Sequence, residues 1–91
     1  IHPESGRKAL YVNPGHTIGI EGWGSDESQA LLEELYAHVA QRQFICVFDW
    51  QPGSVVFWDN RCTQHFAQND YQGQLRSMHR ITLAGSRLNA A

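Results

Sequence analysis

The strongest constraint on this chain is a change of hydrophobic period just past residue 42. Between 25 and 42, Leu31, Leu32, Leu35, Tyr36 and Val39 recur at three- and four-residue spacings. That is one apolar stripe on a helix. From Phe44 the period drops to two, with Phe44, Cys46, Phe48 and Trp50 on one face and Ile45, Val47 and Asp49 on the other. Such alternation suits a strand. Ser25 or Asp26 can cap the helix, and Asp26 and Glu27 suit the positive end of its dipole. Gln51-Pro52-Gly53-Ser54 reads as a turn joining the first strand to a second at 55–59. A third strand is expected at 62–67, a turn at 69–73 and a fourth strand at 75–84. Near the start, a short strand at 9–12 stops at Asn13-Pro14-Gly15, and the tail after Gly85 should fray. The expectation is a mainly β fold with one α-helix, part of a jelly-roll-like sheet pair.

Composition narrows the function classes. With 91 residues, the chain is one small domain or a piece of a larger one. It is 42% hydrophobic and 18% charged, which excludes disordered and fibrous classes. Seven Lys+Arg against nine Asp+Glu give a net charge of −2, so there is no broad nucleic-acid footprint. No apolar run is long enough for a membrane span, and no secretory signal is present. Cys46 and Cys62 are too few for a disulfide framework and read as reduced thiols of a cytoplasmic chain. The start at Ile1 suggests a fragment or processed product.

Five histidines are the obvious chemical candidates: His2, His16, His38, His65 and His79. His38 reads as a polar-face residue of the helix, and His79 as a satisfied core or interface residue. His65 differs, because it follows the polar run 59–64, where a buried hairpin should continue apolar. Arg76 and Arg80 lie four apart on the expected fourth strand, on one face and roughly 13 Å from each other. If the turn is centred between Asp70 and Tyr71, opposed residues sum to 141 and His65 faces Arg76. One sheet face would then carry an imidazole and two guanidiniums, whose forks match carboxylate or sulfonate. The residues leave two readings open: an anion pocket with a possible metal ligand, or solvated arginines on an exposed face.

Three segments carry a resemblance to a known family. They are His2-Pro3-Glu4-Ser5-Gly6-Arg7-Lys8-Ala9-Leu10-Tyr11-Val12-Asn13, then Trp58-Asp59-Asn60-Arg61-Cys62-Thr63-Gln64-His65, then Met78-His79-Arg80. In order and spacing they resemble the C-terminal part of the taurine dioxygenase family, which includes the 2,4-dichlorophenoxyacetate and alkylsulfate dioxygenases. The resemblance implies the C-terminal portion of a double-stranded β-helix, incomplete as a barrel, with residues 1–91 forming one segment of the catalytic domain. It also implies Fe(II) and 2-oxoglutarate, with iron held by two histidines and one carboxylate. Carried over residue by residue, His65 matches an iron ligand and Arg76 the arginine that grips the far carboxylate of 2-oxoglutarate. Arg80 matches the arginine on the substrate's anionic group, and His16 a pocket position that touches substrate.

The family's His-x-Asp ligand pair does not occur here. His2-Pro3-Glu4 imitates it but matches a different family segment, and its proline would distort strand pairing. The 91 residues alone are therefore expected to be inactive. The implied reaction consumes O₂ and hydroxylates a small anionic substrate (a sulfonate, sulfate ester or carboxylate) with release of succinate and CO₂. The implied partners are that substrate and either a second copy of the chain or the missing half of the barrel. No nucleic acid or membrane is expected. Two rivals stand beside this reading: a small jelly-roll protein that binds an anion without catalysis, and a truncated product that survives by self-association.

Overall fold

A computed structural model describes residues 1–86 and 88. It contains one helix, α1 (Ser25–Val39), and one 3₁₀ turn at Arg42–Phe44. The fraying expected of the tail falls largely on residues 87 and 89–91, outside the described residues.

α1 follows its sequence pattern closely. Leu32 is 3% exposed, Ser28 is 5% exposed, and Leu31, Leu35, Tyr36 and Val39 are half-buried along the same stripe. Glu33 and Glu34, off the stripe, are exposed. Two details differ from expectation. The N-cap is Gly24, with no side-chain cap bond from Ser25 or Asp26, and the helix ends at Val39 rather than at 42. Ala40 leaves helical geometry, and the chain tightens into the 3₁₀ turn behind Gln41. His38 lies tilted against Phe44, ring centroids 5.3 Å apart.

The mainly β, jelly-roll expectation is corrected. Among the described residues there is no strand. The segments at 44–50, 55–59, 62–67 and 75–84 run without ladder pairing. The reason is physical. Alternation settles which face a residue would take, but a strand also needs a neighbouring edge and a layer to bury against. Leu32 is the one buried apolar side chain among the described residues, while Phe57 is 86%, Val47 75% and Ile81 88% exposed. No second layer covers those faces, and His79 is exposed rather than in a core.

The turns, which need only local bonds, are present. Ser54 N–H donates to the Gln51 carbonyl at 2.9 Å, Ser54 Oγ accepts the Gln51 N–H at 3.0 Å, and Gly53 takes φ 86°. At Asn13-Pro14-Gly15, the Asn13 carbonyl accepts the N–H of His16 at 3.0 Å and of Thr17 at 2.7 Å. The later turn closes from Tyr71 to Gln74 at 3.0 Å, with Gly73 at φ 78°. It sits two residues beyond the expected centre, so opposed positions would sum to 145, not 141. Without a ladder, no strand pairing sets His65 opposite Arg76 among the described residues.

The chain divides into two compact units, Ile1–Ala9 with Asp59–Ala91, and Leu10–Trp58. In the second unit, Ser28 Oγ accepts the Ile20 N–H at 2.8 Å and ties the 17–24 loop to α1.

Candidate functional site

The densest polar cluster lies in the first unit and begins with a closed loop. His2 N–H donates to the Arg7 carbonyl at 2.9 Å, and Gly6 N–H donates to the His2 carbonyl at 2.9 Å. Inside that loop His2 Nδ1 accepts the N–H of Glu4 at 3.3 Å and of Ser5 at 3.2 Å. An accepting ring nitrogen carries no proton, so this network assigns the proton to Nε2. Nε2 donates to Asp59 Oδ2 at 3.1 Å, a contact between residues 57 positions apart.

Asp59 is gripped from its other side by Arg61. Oδ1 accepts the Arg61 backbone N–H at 2.8 Å and Nε at 2.9 Å, and Oδ2 accepts Nη2 at 2.7 Å. The two-pronged guanidinium bond, then the Arg61 backbone N–H and His2, hold the Asp59 carboxyl well below the usual carboxylate range. Arg61 Nη1 also reaches Glu4 Oε1 at 3.6 Å. The Asp59 carbonyl accepts Cys62 N–H at 3.3 Å, Thr63 N–H at 3.0 Å and Thr63 Oγ at 2.6 Å. His2, Asp59 and Arg61 thus form a clasp across the unit.

His2, Asp59 and Cys62 also bring three metal-type donor atoms within 4.8 Å of one another. A metal-bound histidine normally donates its remaining N–H to a carbonyl or carboxylate. Here the far nitrogen faces two N–H donors instead, so the ring has the wrong polarity for a metal on Nε2. The cluster is a polar clasp and not a metal centre.

The residues singled out from sequence divide between the two units. His65 is exposed and belongs to no group of three metal-type donors among the described residues. Arg76 lies in the first unit with its guanidinium carbon 5.4 Å from the centre of the Tyr71 ring. Arg80, in the same unit, is exposed. His16 belongs to the other unit, where its backbone closes the Asn13 turn. The clasp itself was missed: no spacing rule links His2 to Asp59, and the one signal was the polar run 59–64.

Comparison with known proteins gives a match of residues 1–82 to the family model described as "Taurine catabolism dioxygenase TauD, TfdA family". The chain belongs to this family. Among curated relatives, the taurine dioxygenase-family chain is 44% identical over 86 residues to an alkylsulfatase of Acinetobacter baylyi, covering 93% of this chain and 26% of that protein. It is 42% identical over 86 residues to an alpha-ketoglutarate-dependent sulfate ester dioxygenase of Pseudomonas putida, covering 93% and 28%. Against the alpha-ketoglutarate-dependent 2,4-dichlorophenoxyacetate dioxygenase of Cupriavidus pinatubonensis the identity is 37% over 81 residues, covering 89% and 28%. The chain spans about a quarter of the length of the curated relatives it matches. No solved structure matches it. No helix of the taurine dioxygenase-family chain is long and apolar enough to cross a membrane among the described residues.

Proposed function

We propose that the protein carrying these residues is an Fe(II)- and 2-oxoglutarate-dependent dioxygenase that hydroxylates a small anionic substrate, with residues 1–91 forming one segment of its catalytic domain. The observation that carries the reading is the family match across residues 1–82. It is supported by relatives whose names specify alpha-ketoglutarate-dependent action on sulfate esters and phenoxy acids. The expected reaction consumes O₂ and releases succinate and CO₂. The free thiols Cys46 and Cys62 accord with a reducing compartment, and we place the enzyme in the cytoplasm.

This segment's contribution is anion recognition. Arg76 would take the far carboxylate of 2-oxoglutarate: its guanidinium carbon lies 5.4 Å from the centre of the Tyr71 ring, a cation–π contact, and a guanidinium fork matches the two carboxylate oxygens. Arg80 would hold the anionic group of the substrate, and His16 would touch the substrate elsewhere. His65 would furnish one iron donor. It cannot hold iron alone, so the 91 residues by themselves are inactive and the metal's chemistry requires donors from other residues. The exposed Phe44, Phe48 and Trp50 are available for contact with a second copy or with the rest of the enzyme.

Succinate formation from 2-oxoglutarate tests the reading. The enzyme carrying these residues is supplied with Fe(II) and, in turn, a short alkyl sulfate, an alkanesulfonate and phenoxyacetate. At least one should stimulate succinate release severalfold. Failure of all three overturns the proposal.

A further inference from the structure

Beside the clasp lies a concavity of about 390 Å³ lined by His2, Ser5, Arg7, Lys8, Ala9 and Cys62. Its charge is unbalanced. Two of the six lining residues are cationic and none carries a carboxylate. The two carboxylates closest in the network are already engaged, Asp59 by Arg61 and His2, and Glu4 by Arg61. Neither Arg7 nor Lys8 forms an ion pair among the described residues.

We propose that this concavity is a binding subsite for a small oxyanion: inorganic sulfate or phosphate, or the sulfate head of an organic ester. It requires no iron and does not rest on the dioxygenase reading. Arg7 supplies a fork that matches two oxygens of a tetrahedral anion, and Lys8 supplies a point charge. Ser5 Oγ accepts the Arg7 N–H at 3.4 Å, which leaves its hydroxyl proton to donate outward. The 2–7 loop is closed by its own backbone bonds and by two N–H bonds to His2 Nδ1. Little backbone ordering therefore remains for the anion to impose.

The test follows the amide NMR signals of Ser5, Arg7 and Lys8 during titration with sodium sulfate, against sodium chloride at matched ionic strength. Sulfate should give saturable shifts and chloride none. Arg7→Gln and Lys8→Gln should each weaken sulfate about tenfold, the effect of one lost charge-assisted contact. Arg42→Gln, in the other unit, should change nothing. The His2 Nε2 proton reports that the loop survives each substitution, because neither side chain takes part in the clasp. Tighter binding of methyl sulfate than of sulfate assigns the organic head, and the reverse assigns the free ion; both uphold the subsite. An identical, unsaturating response to both salts means diffuse screening and overturns it. So would Co²⁺ binding with a thiolate charge-transfer band, since a metal on His2 and Cys62 would break the clasp.

Discussion

Replacing Ser28 by alanine isolates the one buried polar tie in the second unit. Ser28 is 5% exposed, and its Oγ accepts the Ile20 N–H at 2.8 Å. Losing a neutral hydrogen bond costs about 0.5–1.5 kcal/mol, and more where the partner is left dry. Ile20 is half-buried, so water reaches its N–H in part, and about 1–1.4 kcal/mol is the expected local loss. Against this, alanine favours the helix over serine by up to about 0.5 kcal/mol. The two effects fall on different groups. Amide hydrogen exchange separates them, since opening of the 17–24 loop and of α1 are distinct local events. In Ser28→Ala the Ile20 amide should exchange roughly five- to tenfold faster, while Leu35 and Tyr36 amides hold steady or slow slightly. Unchanged exchange at Ile20 would refute the claim that the hydroxyl pins the loop. Faster exchange throughout α1 would show instead that Ser28 supports the helix.

Acid should test the clasp: because the folded Asp59 pKa is depressed, its stabilisation is present above the ordinary value of about 3.9 and is lost only as pH falls below that range. The Asp59 carboxyl carbon, followed by NMR, should titrate well under 3.9, and a midpoint near 3.9 would contradict the Arg61 grip. Gly53→Ala should destabilise the 51–54 turn by about 1–2 kcal/mol, since φ is 86° with open space around the site; unchanged Ser54 amide exchange would count against it. In the complete enzyme, Arg76→Ala should weaken 2-oxoglutarate by roughly tenfold to a hundredfold, and Arg80→Ala should weaken the anionic substrate instead. Equal loss of both ligands in both variants would point to a generic basic patch. The exposed aromatic set should make the chain self-associate, which sedimentation at rising concentration would show; a strict monomer would argue otherwise.

What the sequence made legible was local. The stripe of α1 could be read because 3.6-residue periodicity is a property of one segment, and Leu32, one of its five members, is buried. The turns at 13–17 and 51–54 could be read because proline, glycine and asparagine act on their own backbone. Strands were not legible in the same sense. The alternation at 44–50 is real, but pairing is a relation between segments, and the described residues supply no ladder. The clasp failed for the same reason. His2 and Asp59 are 57 positions apart, and only the position of Asp59 in an unexpectedly polar run hinted that its carboxylate had work to do. Gly24 replacing Ser25 as N-cap is a smaller case, a shift of one residue that leaves the dipole argument for Asp26 and Glu27 intact.

The two arginines show what survives once the expected sheet is removed. Their shared face was an inference from strand period, and it lapses with the strand. Their covalent separation remains: four residues extend to at most about 14 Å, enough for two anions to bind without competing. Their surroundings then differ in a way the sequence did not reveal. The Arg76 guanidinium carbon lies 5.4 Å from the centre of the Tyr71 ring, across the turn that closes at Gln74. A guanidinium restrained in this way loses less rotamer freedom on gripping a carboxylate, and less of the contact energy is consumed by ordering. Both arginines are exposed, and the ring contact of Arg76 is what sets it apart from Arg80. If both bind anions, Arg76 is the better-prepared site. That asymmetry favours giving it the invariant co-substrate and leaving Arg80 to the more variable anionic group of the substrate.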